Sequence, residues 1–184
     1  MVEYDRDALI ALIQRDALQY GEFVLASGKL ASYYLDCRKV TLNGDGARWI
    51  GAGILQLLGD PLPDAVGGMA IGADPVTAAV ITVASVNGRA LRGFIVRKES
   101  KGHGTGRVVE GPVRPGDRVI MVEDVVTTGG SALQAIEHAE AFGLRVEGVI
   151  GVVDRLEGGA EAFARRGITL RTLLTVRDLG VPIG

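Results

Sequence analysis

Cysteine, histidine and net charge are all scarce in this 184-residue chain, and each scarcity closes off a class of function. Cys37 is the sole cysteine, so no internal disulfide forms and a reducing compartment is expected. The residue itself reads as a small buried apolar group. Two histidines and one cysteine are too few for a structural zinc site. Net charge is −2 and the isoelectric point near 5.7, which leaves no electrostatic footprint for nucleic acid. Any basic site must therefore be local. No apolar run is long and uninterrupted enough to span a bilayer. The start, Met-Val-Glu-Tyr-Asp-Arg-Asp, is acidic and lacks a signal-peptide core. Cytoplasmic residence without membrane contact is expected. There is no internal repeat and no low-complexity linker.

What is present suits one globular domain over residues 1–184, with 47% hydrophobic and 23% charged residues. Asp5 or Asp7 caps a first helix whose apolar face is Leu9, Leu12, Ile13 and Ala17. Phe23-Val24-Leu25 and Tyr33-Tyr34-Leu35 read as short strands, and Asn43-Gly44-Asp45-Gly46 reads as a break before a helix from Trp49 to Leu58. Strands and helices then alternate: strands at 65–69, 94–96, 119–122, 149–153 and 168–176, helices at 75–86, 131–142 and 160–165. That alternation predicts an α/β fold, a central parallel sheet flanked by helices. About the first forty residues stand outside the pattern, as a small hood over the crevice. His138 falls among polar helix positions and is expected in solvent.

The most informative stretch runs from Arg118 to Ser131. Val119-Ile120-Met121-Val122 is a strand buried on both faces, ending in Glu123-Asp124 where a parallel strand meets its ligand crevice. Thr127-Thr128-Gly129-Gly130-Ser131 then opens a helix. Small and hydroxyl residues ahead of a helix let backbone N–H groups converge on an anion, helped by the helix dipole. Carboxylates do not serve a phosphate, so they suit sugar hydroxyls or a metal. Together they describe a ribose 5-phosphate site.

A second stretch, Arg97-Lys98-Glu99-Ser100-Lys101-Gly102-His103-Gly104-Thr105-Gly106-Arg107, holds four permanent cations and no apolar residue. Beside a phosphate site it reads as a lid that meets a departing pyrophosphate. Other motifs fail. Gly28-Lys29 lacks the upstream glycine and following Ser/Thr of a Walker loop. The Gly102, Gly104, Gly106 series is not a dinucleotide fingerprint.

The Arg118–Ser131 stretch resembles the signature of type I phosphoribosyltransferases, and the basic loop resembles that of orotate phosphoribosyltransferases within them. The likeness extends to Leu25 through Asp36 as a base-binding segment, to Gly67 through Pro75 as a pyrophosphate loop, and to Val153-Asp154-Arg155. It implies the type I phosphoribosyltransferase fold, with about residues 1–40 and part of the C-terminal segment forming the hood. It also implies transfer of ribose 5-phosphate from 5-phosphoribosyl 1-diphosphate to N1 of orotate, giving orotidine 5-monophosphate and diphosphate on the route to UMP.

By the same resemblance Glu123, Asp124, Val125, Val126, Thr127, Thr128, Gly129, Gly130 and Ser131, with Arg97, Lys98, Lys101 and His103, bind the phosphoribosyl donor. Lys101, His103 and Asp124 are the catalytic residues, and Thr127, Arg155 and Lys29 contact orotate. Mg²⁺ is the implied cofactor, bound mainly through substrate, with no dedicated protein ligands. A homodimer is implied, each basic loop serving the neighbouring subunit. Two positions depart from the common pattern. Ala26 stands where many members have lysine, with Lys29 near enough to substitute. Gly72-Ala73-Asp74-Pro75 replaces a Tyr-Lys pair, which shifts the charge burden to Arg97, Lys98, Lys101, His103 and magnesium. A purine or uracil phosphoribosyltransferase is disfavoured by the basic loop and Arg155. A DNA-binding regulator is disfavoured by the negative charge and the lack of a helix-turn-helix before the core.

Overall fold

The computed structural model describes residues 2–24, 30–99 and 107–182. Its elements are α1 (Arg6–Asp16), β1 (Leu18–Val24), β2 (Leu30–Leu35), α2 (Arg38–Thr41), α3 (Gly44–Leu58), β3 (Ala65–Met69), α4 (Ala73–Val86), β4 (Arg92–Val96), β5 (Val109–Glu110), β6 (Arg118–Val126), α5 (Gly130–Phe142), β7 (Arg145–Asp154), α6 (Gly159–Ala164) and β8 (Leu170–Thr175). Six strands form one sheet in the order β5-β4-β3-β6-β7-β8, parallel throughout except for β5 at one edge. β1 and β2 form a separate antiparallel hairpin.

The apolar strands sit centrally because helices cover both faces. Val66, Ile120, Val122 and Ile150 point into a core shared with Leu9 and Ile13 of α1, Ile50 and Ile54 of α3, and Val76 and Val80 of α4. Val119, Met121 and Val149 point to the other side, against Ala132, Ala135, Ile136 and Ala139 of α5. Alternate residues of one strand thus feed two cores, the period of two that a strand imposes. The N-terminal elements share the first core with Leu173, Val176, Leu179 and Val181 from the C-terminal segment. Arg6 adds an ion pair to Asp178 at 2.6 Å.

Several local expectations change. β6 does not stop at the acidic pair but continues through Glu123 and Asp124 to Val126, paired with β7 as far as Asp154. Glu123 lies opposite Gly151, which presents no side chain, and the β-branched Val125 and Val126 extend the ladder. Asn43-Gly44-Asp45-Gly46 starts a helix and does not break the chain. Asn43 caps α3 by accepting from the N–H groups of Asp45 and Gly46 at 3.0 and 3.2 Å. A Cβ on Gly46 would come within 2.3 Å of the Val40 carbonyl, so glycine lets α3 pack onto the short α2. Asp5, not Asp7, caps α1.

The chain order sets the crevice. From β3 the chain moves outward to β4, then crosses back to β6 and proceeds the other way through β7 and β8. The strand order therefore reverses between β3 and β6, and the carboxyl ends of these strands open on one cleft.

Candidate active site

The cleft has a volume of about 1150 Å³ and lies where β3, β6 and β7 end. Arg97, Lys98, Glu123, Asp124, Val125, Thr127, Ser131 and Arg155 line it, so residues from three separate parts of the sequence meet there. Val126 is turned into the core and Thr128 into solvent. Gly129 takes the left-handed conformation, φ 81°, which turns the chain from β6 into α5. Lys29, Lys101 and His103 lie outside the described residues.

Two helix N-termini border the cleft. α5 follows Gly129 and α4 follows Gly72, and neither carries a side-chain cap. The first N–H groups of α5 are thus left for an anion, with the dipole favouring negative charge, whereas in α4 the Asp74 N–H donates to the Ile71 carbonyl at 3.1 Å and Pro75 has no N–H to offer. Ser131 stands in the first turn of α5, and Ala73-Asp74-Pro75 in the first turn of α4.

The acidic pair is held unequally. Glu123 is 9% exposed and its Oε2 has no partner among the described residues. Burial, reinforced by the Asp124 charge and opposed by Lys98, pushes its carboxyl up to about 8. Asp124 accepts from the Val125 N–H at 2.9 Å. Its carboxyl is also raised, chiefly by burial, against that hydrogen bond and the charge of Arg38. A Cβ on Gly72 would stand 2.6 Å from Asp124 Oδ1, so the loop after β3 packs directly against this carboxylate. Asp74 is likewise raised by burial, with Oδ1 unpartnered among the described residues.

Arg155 follows β7, and its N–H donates to the Val126 carbonyl at 2.9 Å, which ties it to the end of β6. Its Nε donates to the Tyr33 hydroxyl at 3.0 Å, its guanidinium lies over the Tyr33 ring, and Nη2 stands 2.8 Å from Glu157. The root of the basic loop is also fixed. Val96 pairs with Val109, Arg97 donates from its N–H to the Val108 carbonyl at 2.9 Å, and its side chain stands 3.7 Å from Glu110. His138 is half-buried, its Nδ1 3.3 Å from the Arg97 carbonyl, and so is not the solvated side chain expected from its polar neighbours. Cys37 is 2% exposed, and burial raises its thiol well above the ordinary range. It sits where a small apolar residue was expected.

Sequence reasoning missed Arg38, Glu110 and Glu157. Arg38 borders the cleft paired with Asp36 at 2.8 Å. The Asp36-x-Arg38 spacing just after a strand was the available signal. Glu110 belongs to β5, too short to show a pattern. Among the described cleft residues six are carboxylates (Asp36, Asp74, Glu99, Glu110, Glu123, Asp124) and four are cations (Arg38, Arg97, Lys98, Arg155). A polyanion entering such a cleft needs further positive charge. No group of three or more His, Cys, Asp or Glu among the described residues is placed to hold a metal ion.

A switch-point cleft, an uncapped helix N-terminus after a strand-borne acidic pair, and a cationic loop root define a phosphoribosyltransferase of the type I fold. No protein-family model matches the chain. An orotate phosphoribosyltransferase of Rhodopirellula baltica is 56% identical over 183 residues, covering 96% of this chain and 95% of that protein. The crystal structure of Mycobacterium tuberculosis orotate phosphoribosyltransferase with Fe(III) dicitrate matches with a TM-score of 0.86 at 40% identity, over 96% and 99% of the two chains. The same enzyme in complex with 5-phospho-α-D-ribosyl 1-diphosphate matches with a TM-score of 0.82 at 37% identity, over 96% and 99%. The chain belongs to the orotate phosphoribosyltransferase family. Among the described residues no helix is long and apolar enough to cross a membrane.

Proposed function

We propose that this enzyme joins N1 of orotate to C1 of 5-phosphoribosyl 1-diphosphate, releasing diphosphate and forming orotidine 5-monophosphate. The observation that carries the reading is the adjacency, at the end of β6, of the Glu123-Asp124 pair and the uncapped N-terminus of α5. The 5-phosphate takes the N–H groups and hydroxyls of residues 127–131, and the carboxylates accept the ribose hydroxyls. The unpartnered Glu123 Oε2 is an acceptor in want of a donor. Orotate is already anionic at N1, so no nucleophilic side chain is required. The site's work is to align N1 with C1 and to neutralise the leaving group.

Arg155 receives the orotate carboxylate, a planar anion suited to a guanidinium fork. Thr127 and Lys29 complete that contact. Arg97, Lys98, Lys101 and His103 face the diphosphate. Mg²⁺ fits the residues present. The excess of carboxylates and the unpaired Glu123 and Asp74 oxygens favour a cation, and the lack of a three-ligand cluster among the described residues leaves substrate oxygens as its main ligands. When bound it supplies charge neutralisation and a template for the diphosphate. Asp124, which lines the cleft beside Gly72, would help to hold it.

The reading includes one domain with an N-terminal hood, a cytoplasmic setting, and a homodimer that exchanges basic loops. Leu42 and Val86, 75% and 70% accessible, line one groove and support an association surface. Orotate absorbance followed after adding 5-phosphoribosyl 1-diphosphate and Mg²⁺ tests the activity. Loss of the orotate signal only when both are present is the expected result, and its persistence would refute the reading.

A further inference from the structure

Arg155 is nearly buried, with 9% of its side chain accessible, and a guanidinium so placed needs a counter-charge. Glu157 supplies one at 2.8 Å, from a position 38% accessible and outside the lining of the cleft. The chain between them is turned back by Leu156 at φ 58°, the one non-glycine residue in the left-handed region among those described. Asp154 steadies that turn, its Oδ1 accepting from the Leu156 N–H at 2.8 Å. Glu157 thus reaches Arg155 from the solvent side, while Tyr33 holds Nε from the hairpin side.

We infer that Glu157 is an internal counter-anion that the carboxylate of the acidic base displaces from Arg155, and that this exchange sets the enzyme's affinity for its base. The inference rests on the reading that Arg155 receives that carboxylate. A base bearing a carboxylate restores the charge balance at Arg155 as Glu157 moves into solvent. A neutral base does not, and leaves the internal pair in place. Glu157 is therefore a positioning and specificity residue acting through Arg155.

The test is steady-state kinetics of Glu157→Gln and of Arg155→Ala beside the wild type, with circular dichroism melts to verify folding. With its rival anion removed, Glu157→Gln lowers KM for orotate roughly 3- to 10-fold, while KM for 5-phosphoribosyl 1-diphosphate stays within about twofold. An orotate KM that is unchanged or raised in the folded variant overturns the inference. Arg155→Ala separates the two failures. If it raises the orotate KM selectively, carboxylate recognition stands and the Glu157 result judges the exchange alone. If it does not, the underlying reading fails first.

Discussion

The Arg155 guanidinium lies over the ring of Tyr33, 4.6 Å from its centroid, while Nε donates to the same residue's hydroxyl at 3.0 Å. One residue follows the buried end of β7 and the other belongs to the β1-β2 hairpin, so a single side-chain pair ties the hairpin to the sheet at the cleft.

That pair makes separable predictions. Arg155→Ala raises KM for orotate far more than KM for 5-phosphoribosyl 1-diphosphate. Tyr33→Phe keeps the ring under the guanidinium and removes one hydrogen bond, a loss of about 1 kcal/mol, so the orotate KM rises roughly fivefold. Initial-rate kinetics with each substrate varied in turn distinguish these from a general loss of activity, which would place Arg155 outside base recognition.

Glu123 makes ligand-free stability depend on pH. Its carboxyl lies near 8 in the folded protein against an ordinary 4.5, so between those values the folded state binds more protons than the unfolded one. Stability from this group is complete below 4.5 and is lost as pH rises toward 8, by on the order of a few kcal/mol at most. Glu123→Gln removes the loss. Urea midpoints of both proteins at pH 5.5 and pH 8.5 check it: the wild type falls relative to the variant, and parallel profiles would contradict the burial of an unpaired carboxylate.

Gly72 has an ordinary helical backbone, φ −58°, so its need for glycine comes from space alone. Gly72→Ala drives a methyl against Asp124 and displaces that carboxylate. KM for 5-phosphoribosyl 1-diphosphate rises roughly tenfold or more, with little change in melting temperature. An unaltered KM would mean that Asp124 does not meet the ribose.

Lys101→Ala lowers turnover on the order of 10²–10³-fold, the usual cost of losing one preorganised charge. If loops are exchanged in a dimer, mixing Lys101→Ala with Asp124→Asn protein and allowing subunits to re-associate yields heterodimers with one intact site. Activity then recovers to about a quarter of wild type, from half the dimers with one of two sites each. No recovery after verified exchange would place each loop over its own subunit's cleft.

The buried strands and their helices were legible because a parallel sheet needs continuous apolar runs: Val119 through Val122 could hardly be elsewhere. Helix starts were less legible. Asn43-Gly44-Asp45-Gly46 has the composition of a turn, and only the Asn43 side chain accepting two N–H groups makes it a cap. The carboxylates looked like a strand end because charge normally marks exposure. β6 carries them inside because Gly151 opposite is small and the cleft opens beside Asp124. Tyr33 with Arg155, 122 residues apart, and the local Arg155–Glu157 pair depend on how the hairpin folds over and how Leu156 turns, which no short-range pattern records.

The account stands on the sugar-phosphate cradle at the end of β6, and calorimetric titration of 5-phosphoribosyl 1-diphosphate with Mg²⁺ measures it without any base present. The wild type binds one equivalent per subunit, and the double variant Glu123→Gln, Asp124→Asn binds at least about 100-fold more weakly, as expected for losing both carboxyl acceptors of the ribose hydroxyls. Equal affinity in a folded double variant would contradict the account.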